Sequence, residues 1–88
     1  MDFRWIEWNI EHLALHGVDP EEAEEVVRAA SAPYPKRIAD HKLLVWGAGR
    51  GGRLLQVIFV LDEDQTAFVI HARQLTNREK SILRRKRR

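Results

Sequence analysis

Between Lys42 and Arg73 three apolar runs follow one another with almost nothing between them. Lys42–Trp46 is bounded by Gly47, Arg53–Leu61 by Asp62-Glu63-Asp64, and Thr66–Arg73 closes the set. The first link, GAGRGG, predicts a flexible hairpin loop, and the second, DEDQ, a short polar turn. Parallel neighbours need a crossover of a dozen or more residues, so hairpins in series make this sheet antiparallel. The middle run, LLQVIFVL, is apolar on both sides apart from Gln56, which predicts a central strand covered on both faces.

What precedes the sheet reads as one further strand and two helices. Phe3–Trp8 is rich in aromatic and β-branched residues and predicts a first strand. Asn9 is the expected N-cap of a short helix through His16, stopped by Gly17 at C′. Asp19-Pro20-Glu21-Glu22 combines an N-cap, a proline in the first turn and carboxylates at the positive end of the helix dipole. Ala23, Val26, Val27 and Ala30 then form one narrow apolar stripe, leaving Glu21, Glu24, Glu25 and Arg28 to solvent. Pro33 and Pro35 open an irregular connection that carries Tyr34, Lys36 and Arg37. Beyond the last strand, Thr76 and Glu79 have the spacing of a capping box, starting a final helix whose apolar contacts are Ile82 and Leu83.

A length of 88 residues, 44% hydrophobic and 32% charged, predicts one globular domain. No apolar run approaches the ~20 residues of a membrane span. Charged residues among the N-terminal aromatics argue against a signal peptide, and there is no cysteine; the expectation is a cytoplasmic protein without disulfides. The formal net charge of +2 hides a segregation. Residues 1–32 hold eight acids against Arg4 and Arg28, and residues 33–88 hold thirteen bases against five acids, ending in the basic tail Arg84–Arg88. Such a split suits a polyanion on the basic side, although a solvated surface or an acidic protein partner would fit it too.

Three constellations bear on chemistry. GAGRGG lacks the Lys-Ser/Thr ending of a phosphate loop and leads into a strand, so it reads as a hairpin turn; Arg50 at its tip and Arg53 after it can still reach a phosphate. His12 and His16 have zincin ligand spacing, but Leu13 stands where the catalytic glutamate belongs and no third ligand is evident. No metal site and no cofactor are expected. His71 and Arg73 are two apart, which in a regular strand puts them on one face with Ala67 and Val69, opposite Phe68, Ile70 and Ala72. There Arg73 either stabilises charge on a phosphoryl group, with His71 moving a proton, or pairs with an acid such as Glu79 beside a core imidazole.

The order of these pieces resembles a known family. Phe3–Trp8, His16-Gly17-Val18, the acidic Glu21-Glu22-Ala23 helix, the apolar hairpin and Ala72-Arg73…Thr76…Glu79 are similar to the BrnT family of type II toxins, small RelE-like ribonucleases of bacterial toxin–antitoxin pairs. The resemblance implies a metal-independent endoribonuclease that blocks translation and is neutralised by a BrnA-like antitoxin. It carries Arg73 and Thr76 over as catalytic positions, and His16 as a functional one; His71 joins the catalytic candidates, and Lys42, Arg50 and Arg53 with His16 would bind RNA.

The expected architecture is a single α+β domain over residues 1–88, RelE-like, with an antiparallel sheet packed with helices in the order β-α-α-β-β-β-α. The expected partners are RNA and the antitoxin, in a homodimer or a toxin–antitoxin hetero-oligomer, with no membrane. Two rival readings remain open: a non-catalytic nucleic-acid-binding module, such as a decayed toxin, and a subunit whose basic surface docks an acidic protein.

Overall fold

The computed structural model describes residues 1–86; of the predicted basic tail, Arg87 and Arg88 lie outside the described residues. Helices α1 (Glu7–Ala14) and α2 (Pro20–Arg28) precede strands β1 (Lys36–Ala39), β2 (Lys42–Ala48), β3 (Leu54–Leu61) and β4 (Ala67–Gln74), and helix α3 (Asn77–Lys86) follows. The strands form one antiparallel sheet in the order β1-β2-β3-β4. The α+β class and the hairpin series are as expected.

The element order differs from expectation in its first member. Phe3–Trp8 does not form a strand: only Phe3 makes a bridge, parallel to Ala67, and Glu7 and Trp8 already belong to α1. The cause is Asn9, which sits one turn inside the helix instead of capping it. Its Oδ1 accepts from the Ile6 amide at 2.7 Å while its Nδ2 donates to the Arg4 carbonyl at 3.1 Å, which fixes the helix start at Ile6. The fourth strand comes instead from Lys36–Ala39, in the stretch expected to be irregular.

Elsewhere the local signals hold. Gly17 sits at φ 70°, and the amides of Gly17 and Val18 donate to Ala14 and Leu13 at 3.0 and 3.2 Å, closing α1 in a Schellman turn. The Asp19 carboxylate accepts from the Glu22 amide at 2.9 Å. Thr76 and Glu79 form the reciprocal capping box, at 2.8 and 3.1 Å.

Cross-strand pairing separates the two sheet faces. Val45, Val57 and Ala72 lie in one row, Leu43, Phe59 and Val69 in the next, and Gly47 and Leu55 in a third. Val26 of α2 packs over this face, its Cγ1 only 3.4 Å from where a side chain on Gly47 would begin. Leu13, Val18, Ala23, Val27, Tyr34, Leu75 and Leu83 pack into the same core. The opposite face carries Lys42, Leu44, Trp46, Leu54, Gln56, Ile58, Val60, Phe68, His71 and Arg73. It is mostly half-buried, so β3 is central but not covered equally on both sides.

One irregularity decides where the candidate residues point. Ile58 pairs with His71, but the next residue, Phe59, pairs with Val69, so β4 takes up Ile70 as an extra residue. Past that bulge the alternation inverts. Ala67 and Val69 face the core with Ala72, while His71 and Arg73 share the other face with Phe68; the regular-strand expectation is corrected accordingly.

Candidate functional site

Helix α1 packs along β4, and their junction gathers three of the four imidazoles of the chain with two aromatic rings. Trp8 and His12 lie one turn apart on a flank of α1, and His16 continues the same spacing in the turn that closes it. Trp8 stacks on His12, with ring centroids 4.9 Å apart and planes at 12°, and meets Phe68 edge-on at 6.1 Å. His16 meets His71 edge-on at 5.8 Å. The Arg4 guanidinium lies 4.2 Å over the Phe68 ring and contacts Asp62 at 3.3 Å. His71 is brought to this flank by the bulge at Ile70.

The electrostatics are one-sided. Burial pushes the His71 imidazole below its ordinary range, and the positive charges of Arg73, His16 and His12 push the same way. The ring is therefore held neutral at pH 7, the form that accepts a proton. Among the described residues no group of three or more His, Cys, Asp or Glu side chains is placed to hold a metal ion, so His12 and His16 find no third ligand.

Arg73 shares this face with His71, but its guanidinium is engaged. It donates to both oxygens of Glu79, at 2.7 and 2.9 Å, and to the Gln74 carbonyl at 3.0 Å. Hydrogen bonding from Arg73, then from the Thr76 amide, draws the Glu79 carboxyl down to about 2. Thr76 acts through its cap: its hydroxyl accepts from the Glu79 amide and orients the carboxylate that holds Arg73. Gln56, next to Arg73 across the sheet, accepts the Trp46 indole N–H at 2.9 Å.

The three proposed RNA-binding bases of the sheet and loop are placed differently from one another. Lys42 is exposed at the start of β2. Arg53 turns back to α2, where its Nε donates to Glu22 at 2.9 Å, its Nη2 bonds the other oxygen, and Nη2 also reaches the Gly17 carbonyl at 2.7 Å. Arg50 donates its amide to Glu22 at 2.8 Å and its guanidinium to Asp19 at 2.8 Å. Glu22 is only 2% exposed, and the hydrogen bonds from Arg53 hold its carboxyl below the usual range. Gly49 fits because a Cβ there would fall 2.5 Å from Glu22 Oε2. The glycine-rich loop is thus latched onto α2, and the positive charges of Arg50 and Arg53 already face carboxylates.

A cleft of about 670 Å³ lies elsewhere, between the β1–β2 and β3–β4 turns, lined by Arg37, His41, Leu43, Val60 and Asp62 among others. It contains none of the candidate residues except through the neighbouring strand of Lys42. Trp8, Phe68 and Arg4 were not singled out by sequence, and His12 only for its metal-ligand spacing with His16; the signal was present in the spacing of Trp8, His12 and His16, but it shows only once Trp8 is placed in a helix. No protein-family model matches the chain, and neither a curated protein nor a solved structure does.

Proposed function

We propose that this chain is a ribonuclease toxin of the BrnT type, a metal-independent endoribonuclease that cleaves RNA and arrests translation. One observation carries the reading: a neutral, half-buried imidazole, His71, shares a sheet face with Arg73 and stands 5.8 Å from a second imidazole, His16. RNA cleavage requires deprotonation of a 2′-hydroxyl, stabilisation of the extra negative charge on phosphorus, and protonation of the leaving oxygen. Neutral His71 suits the first task and a cationic neighbour the second. His16, on the far side of the junction, suits the third. Thr76 serves by fixing Glu79, and Lys42 offers an exposed charge for the strand; in this reading a BrnA-like antitoxin would cover the same face.

The bidentate Arg73–Glu79 pair favours a second reading, a non-catalytic module that binds nucleic acid or an antitoxin. Arginine already held by a carboxylate must exchange that partner to grip a phosphate. Cleavage of labelled RNA in the presence of a chelator separates the two. The enzyme reading expects cleavage that falls at least tenfold in His71→Ala and more in Arg73→Ala, with both variants still showing a cooperative melt. Salt-sensitive binding with no cleavage would establish the module instead. Full activity in a folded His71→Ala protein would refute the role given to His71.

A further inference from the structure

Trp8 is 52% exposed, yet it is not loosely held. The other two tryptophans are tied through their indole N–H groups, Trp5 to Glu24 at 2.7 Å and Trp46 to Gln56 at 2.9 Å. Among the described residues Trp8 makes no such bond. It is held through its ring, stacked on His12 and steeply inclined to Phe68 at 67°. A large flat ring, immobilised before any ligand arrives and still half open to solvent, loses little entropy on receiving another ring.

The surroundings select what that ring receives. His71 faces the His16 ring at 5.8 Å and shares its sheet face with Arg73, whose guanidinium is paired with Glu79. Arg4 adds a guanidinium on the Phe68 side of Trp8, where it also contacts Asp62 at 3.3 Å. An aromatic shelf interleaved with cationic and imidazole groups suits a nucleobase with a phosphate attached. Successive helical residues advance ~100°, so Ile6 and Ile10 fall on the opposite flank from Trp8, while Leu15, 80% exposed, lies two turns on along the Trp8 flank, beyond the His12 ring that Trp8 stacks on. Glu7 and Glu11, both exposed, neighbour Trp8 on the helix surface, so an anion is better received towards His12 and His16 than on their side.

We propose that Trp8 is the stacking shelf for a base of single-stranded RNA, and that the phosphate attached to this base lies against His16 and His71. This rests on the ribonuclease reading for its choice of nucleic acid and adds the subsite that would seat the nucleotide beside the bond to be broken. Because stacking tolerates any base, the shelf contributes affinity and register without strong sequence preference.

The test is binding of a short 2′-O-methyl oligoribonucleotide, which cannot be cleaved, to wild type, Trp8→Ala, Trp8→Phe and Ile10→Ala, with thermal melts of each. Trp8→Ala should weaken binding roughly tenfold or more, Trp8→Phe much less, and Ile10→Ala not at all. The loss should be the same factor at every salt concentration, since stacking releases no counterions. Should Trp8→Ala fail to fold, an abasic backbone of equal length, tested on wild type, must bind correspondingly less tightly. Equal binding by wild type and folded Trp8→Ala, equal binding of abasic and parent strands, or no RNA binding by wild type would each overturn the shelf. Cleavage of unmodified RNA with Trp8-independent binding sinks the shelf alone. Trp8-dependent binding without any cleavage sinks the ribonuclease reading and leaves the shelf standing.

Discussion

Replacing Glu79 with glutamine asks how much of this fold hangs on one carboxylate. Glu79 accepts from Arg73 at 2.7 and 2.9 Å and from the Thr76 amide at 2.8 Å. Its carboxyl is drawn from 4.5 to about 2, with the Arg73 hydrogen bonds as the largest cause. At ~1.4 kcal/mol per unit this corresponds to roughly 3 kcal/mol of differential stabilisation of the charged form. Both side chains keep some solvent contact, 29% for Arg73 and 20% for Glu79, so about 2 kcal/mol is the expected cost of Glu79→Gln at pH 7. For a domain of this size that lowers Tm by about 8–16 °C. The sign with pH follows from a folded value below the unfolded one. The contribution is complete above about pH 4.5 and is lost as pH falls from there towards 2. Urea melts of wild type and Glu79→Gln should therefore differ most near neutrality and converge in acid. A difference below ~0.5 kcal/mol at pH 7 would refute the reasoning, and a large difference that did not shrink in acid would assign the cost to the cap, not to the charge. Releasing Arg73 should also tighten RNA binding if its guanidinium contacts phosphate.

Two further outcomes follow from the same geometry. Glu22→Gln leaves Arg53 and the Arg50 amide facing a neutral group that is 2% exposed, and should cost about 3 kcal/mol in denaturant melts; a loss under 1 kcal/mol would mean that the loop is not latched there. The depressed His71 value predicts an NMR titration below 6.5, stability that declines as pH falls from 6.5 through the folded value, and an acid limb of the cleavage rate lying below pH 6.5; titration at or above 6.5 would remove the neutral-base argument.

Signals carried within a few residues were legible in the sequence, and signals carried across the chain were not. Asp19-Pro20, Gly17 and Thr76…Glu79 act through hydrogen bonds to amides or carbonyls no more than five positions away, and each is found where its spacing put it. Phe3–Trp8 misled because strand propensity competes with a helix start that depends on Asn9 bonding backward to Arg4 and Ile6. Lys36–Ala39 was missed because all four residues are exposed and show no alternation. A strict period of two cannot register an inserted residue, so the bulge at Ile70 put Ala72 and His71 on exchanged faces. The partners of Arg50 and Arg53 lie 28–36 positions away, beyond any local pattern, which is why two bases expected to meet RNA are found tied to α2.

The short bridge at Phe3 has a consequence for how such a sheet can go wrong. β4 is an outer strand, and the Ala67 amide and carbonyl at its start are occupied by Asp2 and Arg4 of the same chain, at 2.8 and 2.9 Å. The other outer strand, β1, has four exposed residues and two adjacent bases, Lys36 and Arg37, a poor template for a neighbour. The two borders are thus guarded by unlike means: one by charge and brevity, which cannot be dislodged, the other by a removable stretch of main chain. Any change that pulls Asp2–Arg4 away frees the Ala67 amide and carbonyl at the start of the β4 border. Strand addition between copies would then be directional, beginning at β4 and finding no equivalent acceptor at β1.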